Sequence, residues 1–271
     1  MDLNAIKSRL SDLNQQSQNR GGSKNLFWKP SIGKQQIRVV PSKFNEKMPF
    51  TEMMFYYNIG PKRVMASPMN WGEKDPIAEF AKQLRSSGDK ENWKLAKQID
   101  PKTRIFAPIV VRGEEDEGVR LWQFGKEIYE SFLQMATDEE IGDFTDVYEG
   151  RDIKLNTVGP ESTGTPYNRT TISPSMKVSP LDKEEEKVQE FLDNQADPKK
   201  VFKPLSYDEM KENLQQWLSP EEEESSTPEP QTQPQTTGTQ YSSASKPKQS
   251  KEDKFNSLFE DESKGEDDPL F

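Results

Sequence analysis

The sequence predicts a mainly β protein with peripheral helices, an α+β chain whose core is a small barrel of about five strands. Short runs of alternating apolar and polar residues are separated by turn-forming residues, and segments with one apolar face lie between them. Apolar residues make up 31% of the 271 residues, and the mean hydropathy is -1.00. The last fifth is almost empty of them, so the core must come from roughly the first four-fifths of the chain.

Five segments have the composition of strands. They are residues 36–40, 51–59, 104–111, 118–124 and 151–158. Pro41 follows the first segment, and Gly60-Pro61 follows the second. Several of the segments alternate with period two, which is typical of a half-buried antiparallel sheet.

Four helices are predicted within or after this sheet, beginning at Asp75, after Gly125, near residue 182 and at Ser206. In the first, Asp75 is the N-cap and Pro76 occupies the first turn. The fourth has the clearest start, because Ser206 and Glu209 have the spacing of a capping box. Pro220 ends it.

The two ends of the chain differ from the core, which spans residues 23–218. Residues 1–22 form an arm with a short amphipathic helix and a Gly-Gly hinge, and this arm docks either on its own core or on a neighbouring molecule. Residues 219–271 are rich in Glu, Ser, Thr, Pro and Gln, a composition typical of a disordered tail. The last residues are apolar again, and we predict a partner-binding peptide made of Asp267, Asp268, Pro269, Leu270 and Phe271.

The chain contains no cysteine and no histidine, which excludes disulfides, thiolate or imidazole metal sites and Cys-His or Ser-His catalysis. We therefore expect no cofactor, no bound metal and no enzyme activity. No apolar stretch approaches the length of about 20 residues that a membrane span requires, so a cytoplasmic protein is expected.

Charge is distributed unevenly along the chain. Residues 1–112 contain 20 Lys or Arg against 10 Asp or Glu, whereas the whole chain has a net charge of -10. This asymmetry indicates a basic binding half and an acidic tail that competes for the same ligand.

Three stretches resemble one family. The segment Ile37-Arg38-Val39-Val40-Pro41-Ser42-Lys43, the run from residue 109 to 128 with Leu121-Trp122-Gln123-Phe124-Gly125-Lys126, and the run from 202 to 209 are similar, in this order, to the helix-destabilising single-stranded-DNA-binding proteins of T-even-like tailed bacteriophages. The resemblance implies an OB-fold core, cooperative binding through the N-terminal arm, and an acidic C-terminus that recruits replication and recombination proteins: a polymerase, a helicase loader and a recombination mediator. The arm's cluster would be Lys7, Ser8 and Arg9, which favours docking on a neighbour.

The sequence departs from this family where a zinc subdomain is usual. Asp75-Pro76-Ile77-Ala78 stands where the family has Cys-x-x-Cys, so we expect apolar packing of Ile77, Phe80 and Leu84 to replace the metal. The terminus is similar to the tip of bacterial single-stranded-DNA-binding proteins.

Binding without sequence preference needs aromatic side chains for the bases and cations for the phosphates. The resemblance implies stacking by Trp122 and Tyr167, and Phe106 and Tyr57 are further candidates, although aromatic residues within strands often belong to the core. The candidate phosphate contacts lie on or beside the strands and turns: Arg38, Lys43, Lys62, Arg63, Lys102, Arg104, Arg112 and Arg169.

Two other functions compete with this interpretation. One is an acidic-tailed interaction adaptor that does not bind DNA. The other is a Mg²⁺-dependent nuclease that uses Asp143, Asp146 and Asp152.

Overall fold

The computed structural model describes residues 26–218 together with Phe255, Asn256 and Phe259. The chain divides into two compact units: unit 1 contains Met1–Phe55 and Thr103–Lys203, and unit 2 contains Tyr56–Lys102 and Pro204–Phe271. The predicted arm and nearly all of the predicted tail lie outside the described residues. Within the described part of the chain, no helix is both long enough and apolar enough to cross a membrane.

The strands form an eight-stranded sheet, which confirms the prediction of a β core with peripheral helices. Their bounds are β1 Phe27–Trp28, β2 Gly33–Val39, β3 Thr51–Ile59, β4 Lys62–Ala66, β5 Lys102–Val111, β6 Arg120–Phe124, β7 Arg151–Val158 and β8 Arg169–Val178. The continuous path is β1-β6-β5-β2-β7-β8, while β3 and β4 lie off it and pair with each other. The bounds predicted for β3 and β7 are confirmed, whereas β1, β4 and β8 were missed by the sequence patterns.

The helices are α1 Pro76–Ser86, α2 Lys90–Gln98, α3 Lys126–Ala136, α4 Pro160–Thr163, α5 Glu185–Asp193, α6 Pro198–Val201 and α7 Tyr207–Leu218. The capping box predicted for α7 is confirmed. The Ser206 backbone N–H donates to Glu209 Oε2 at 2.9 Å, and the Glu209 N–H donates to Ser206 Oγ at 3.2 Å. The sequence patterns missed α2.

The core of unit 1 is strongly aromatic. Phe132 of α3 packs between Phe50, Trp122 and Phe144, with ring centroids 5.2, 6.0 and 5.7 Å apart respectively. Trp28 meets Trp122 edge to face at 5.8 Å. These rings fix α3 against the sheet, because such pairs contribute beyond the area that they bury.

Unit 2 has a separate core around α1 and α7, and the predicted apolar packing of Ile77, Phe80 and Leu84 is confirmed by exposures of 2% or less. Asp75 begins α1, since its Oδ1 accepts the backbone N–H groups of Ile77 and Ala78. Its Oδ2 accepts the Tyr56 hydroxyl at 2.9 Å. Burial, with the charge of Asp75, raises the pKa of Tyr56 far above its usual range. This carboxylate therefore ties helix and strand together within unit 2.

Candidate nucleic-acid interface

One face of β2, β7 and β8 in unit 1 presents exposed cations and hydrogen-bonding groups in rows across the strands. Lys34 lies opposite Asn156, which lies opposite Thr171. In the next row, Lys154 lies opposite Ser173. All five side chains are exposed, because the alternation along β7 and β8 turns these positions away from the core.

A groove of about 600 Å³ runs over this face and is lined by these five residues among others. Arg169 is exposed at the start of β8 and has the same strand parity as Thr171 and Ser173. The face therefore combines three cations with hydroxyl and amide groups, which suits a phosphate backbone. Of these residues, only Arg169 was predicted from the sequence.

Tyr167 precedes this face in the loop between α4 and β8, and its side chain is 75% exposed. The Thr163 hydroxyl donates to the carbonyl of Tyr167 at 3.2 Å, which holds the loop backbone beneath the ring. An exposed ring beside cations is what base stacking requires.

Two predicted stacking residues are instead core residues. Trp122 is 1% exposed and meets Trp28 and Phe124, the latter at 4.7 Å. Phe106 is completely buried and packs against Phe202 at 5.4 Å. A base cannot reach either ring face, so the structure revises both assignments to packing roles.

Two predicted phosphate contacts form ion pairs within unit 1. Arg38 is fully buried, and its Nη1 donates to Asp152 Oδ1 at 3.1 Å. Arg112 donates to the same oxygen at 2.8 Å and to the carbonyl of Leu181 at 2.7 Å. Burial lowers the pKa of Arg38 to about 10, against the opposing charge of Asp152. Arg38 thus holds the chain that follows β8 rather than a ligand. Arg112 holds the same chain and also lines the groove over the sheet face.

The remaining two predicted phosphate contacts of unit 1 are Lys43 and Arg104. Lys43 lies 3.8 Å from Asp193 Oδ1 and donates to the Asp193 carbonyl at 3.1 Å. Arg104 is half-buried within β5.

In unit 2, Lys62 and Arg63 are exposed at the start of β4. The turn before them approaches the backbone of α7 so closely that only glycine fits. A Cβ at Gly60 would lie 2.4 Å from the Asn213 carbonyl oxygen. Tyr57 is half-buried, and Lys102 Nζ lies 5.8 Å from its ring centroid. A cation over one face of a ring leaves at most the other face for a base to stack on.

The outer face of α2 in the same unit carries the most exposed tryptophan among the described residues. Trp93 is 52% exposed, and Lys90, Lys94 and Lys97 lie three, one and four residues from it. Positions i, i+3, i+4 and i+7 share one helix face. Lys97 Nζ lies 5.5 Å from the indole centroid, so at most one face of this ring remains for a base, with three lysines around it.

A family model described as gp32 DNA binding protein like matches residues 32–219. The chain belongs to this family. The assignment supports binding of single-stranded DNA by this gp32-like chain. A comparison with the curated proteins gave no match.

Sequence reasoning missed the Trp93 face of this gp32-like protein because α2 itself was missed. The helix has only three buried residues, Asn92, Leu95 and Ala96, so its apolar stripe is weak. The available signal was the N-cap Asp89, which accepts the Glu91 N–H at 2.9 Å, followed by lysines at helical spacing around a tryptophan.

The carboxylates of the alternative nuclease do not converge in the gp32-like core. Asp152 is bound to Arg38 and Arg112, whereas Asp143 accepts the Thr145 N–H and Asp146 the N–H groups of Tyr148 and Glu149. These two backbone bonds hold the pKa of Asp146 below its usual range. Among the described residues, no cluster of three carboxylate or other metal-binding side chains is present.

Proposed function

We propose that this chain coats single-stranded DNA without sequence preference and does so cooperatively, in phage DNA replication, recombination and repair. The observation that carries the proposal is the α2 face, where half-exposed Trp93 is surrounded by Lys90, Lys94 and Lys97. Every base has a face that stacks on an indole, and lysines attract the backbone whatever the sequence. Such a surface binds strands without distinguishing the bases.

The sheet face of unit 1 supplies a second contact. Tyr167 offers another exposed ring, and Lys34, Lys154 and Arg169 offer cations beside hydroxyl groups. Since neutralised phosphates release counterions, affinity falls steeply with salt.

Cooperative binding, partner recruitment and a cytoplasmic location complete the proposal. Lys7, Ser8 and Arg9 of the arm dock on the neighbouring molecule, and the terminal Asp267-Asp268-Pro269-Leu270-Phe271 recruits replication and recombination proteins. The chain acts by binding and is not an enzyme. The acidic tail competes with the strand, because its charges resemble those of a phosphate backbone.

The test is a titration of the full-length protein with poly-dT, followed by tryptophan fluorescence. We expect quenching, and we expect removal of residues 1–20 to leave binding to a short oligonucleotide nearly intact while abolishing cooperative filling of long strands. Equal losses on both lengths would contradict a role between molecules. No quenching at low salt would refute DNA binding, and Mg²⁺-dependent cleavage would favour the nuclease.

A further inference from the structure

Two phenylalanines far along the predicted tail are buried in unit 2. Phe255 is 4% exposed and Phe259 is 7% exposed, whereas Asn256 between them is exposed. The backbone is helical at all three residues. A spacing of four places both rings on one side of a helical turn, with the asparagine on the other side.

The rings lie in a groove between α1 and α7. Phe255 meets Phe80 of α1 edge to face at 6.0 Å, and Phe259 meets Tyr207 of α7 at 6.4 Å. The two rings contact each other at 4.6 Å. Lys211 of α7 places its Nζ 4.4 Å from the Phe259 centroid.

The groove discriminates in favour of this pair of rings. Phe80 and Tyr207 contact the two rings, the fully buried Met210 and Leu214 belong to the same apolar cluster, and Lys211 places a cation over one ring. Edge-to-face and cation contacts of this kind select aromatic over aliphatic side chains. A short helical peptide with phenylalanine at i and i+4 fits this surface.

The occupant is joined to α7 by the 36 residues 219–254, which are dominated by Glu, Ser, Thr, Pro and Gln. Such a connector contributes few apolar groups, so the two rings carry the contact. A tether of this length and composition holds its ligand at roughly millimolar effective concentration. Occupation by the same chain is therefore favoured over occupation by another molecule at ordinary protein concentrations.

We propose that the groove between α1 and α7 is a peptide-binding site whose ligand is the chain's own segment containing Phe255 and Phe259. The groove shares no residue with the proposed nucleic-acid surfaces, and the inference does not depend on DNA binding. Removing the two rings empties the groove and makes it available to the same peptide added in solution.

The test uses a fluorescein-labelled synthetic peptide of residues 250–263 and the full-length protein, with fluorescence anisotropy as the readout. The F255A/F259A protein should bind the peptide, and the wild type should bind it at least about tenfold more weakly because its groove is occupied. A peptide with both phenylalanines replaced by alanine should not bind. The matched control is the L270A/F271A protein, which loses two large apolar side chains from the same tail and should behave like the wild type.

Equal peptide binding by wild type and F255A/F259A, or binding by neither, would overturn the proposal. Lys211→Ala introduced into F255A/F259A should weaken peptide binding, and unchanged binding would contradict the groove as the site.

Hydrogen exchange on the wild type gives a readout without any variant: the amides of residues 255–259 should exchange more slowly than those of 260–271, and equal rates would refute docking. A concentration-dependent dimer of the wild type, absent from F255A/F259A, would show exchange between copies and overturn occupation by the same chain.

Discussion

Arg38 donates to Asp152 at 3.1 Å in the interior of unit 1. Arg38 lies on the same face of β2 as the exposed Lys34, four residues earlier. The same carboxylate accepts from Arg112, so one anion pairs with two guanidinium groups. Further donors reach the carbonyls of Ser179 and Leu181. This cluster covers one end of the sheet face and leaves the other end exposed.

Asp152→Ala should lower the free energy of unfolding by about 3–5 kcal/mol, because it leaves the buried Arg38 charge without its partner. Urea denaturation at neutral pH measures the effect. Asp116→Ala is the control, since Asp116 is 97% exposed and its ion pair with Lys187 at 3.6 Å is screened by solvent and should contribute little to stability. Similar losses for the two variants would contradict a structural role for Asp152.

Trp93→Ala should weaken poly-dT binding by about 5- to 150-fold, the cost of about 1–3 kcal/mol for one stacked base. Its half-exposed ring contributes little to the core, so the unfolding midpoint should change little. Tyr148→Ala removes a ring that is 62% exposed and hydrogen-bonded to Glu185, and it should not affect binding. Affinity losses of the same size in both variants would refute stacking on Trp93.

Replacing Lys90, Lys94 and Lys97 together with glutamine should reduce the slope of log affinity against log salt by about 0.7 for each phosphate that these lysines neutralise. Equilibrium titrations on an oligonucleotide at four or more salt concentrations give the slope. Lys126→Gln serves as a control, because this lysine is 84% exposed and lies 3.2 Å from Glu130. An unchanged slope in the triple variant would contradict phosphate binding by the lysines of α2.

Gly60→Ala should destabilise unit 2 more than Gly88→Ala. Both glycines have a positive φ, at 67° and 69°, which costs an alanine roughly 1–2 kcal/mol. Only at Gly60 does the new Cβ meet backbone, 2.4 Å from the Asn213 carbonyl oxygen, and this adds about 1–3 kcal/mol. Thermal unfolding of the pair isolates the effect of this close approach, and equal shifts would show that the turn does not approach α7 so closely in solution.

Ser206→Ala should cost about 1 kcal/mol of stability through loss of the α7 cap. The Ser206 backbone and hydroxyl donors lower the pKa of Glu209, so its contribution is present above the pKa of the unfolded state, about 4.3, and is lost as the pH falls through the lower folded value. Glu209→Gln should therefore reduce the loss of stability between pH 6 and pH 3. An identical acid transition in the variant would contradict this coupling.

Local signals predicted the elements whose pattern is strong in sequence. Thr51–Ile59 and Arg151–Val158 alternate with period two, and Ser206 with Glu209 marks a helix start, so their positions follow from residue chemistry. Helix α2 was missed because four of its nine residues are charged and few are buried. Strand β8 alternates between exposed and half-buried positions, with too few apolar residues to give a signal.

The site was predicted less well than the fold because burial at a strand position depends on what covers the sheet. The parity of Arg38 matches that of Lys34, yet Arg38 forms a buried ion pair with Asp152 and bonds the chain after β8, whereas Lys34 is a surface cation. Trp122 was predicted from the family resemblance and Phe106 as an aromatic residue within a strand, and the rings of Trp28 and Phe202 pack against them. Tertiary neighbours of this kind carry no signature in the local sequence.

The burial of Phe255 and Phe259 also limits how far residues 260–271 can lie from unit 2. Twelve residues follow Phe259, with six acids and one lysine, and they span at most about 40 Å when fully extended. The 53 residues after Leu218 would otherwise reach more than four times as far. A protein that binds Leu270 and Phe271 would therefore be held within about 40 Å of the two buried aromatic rings.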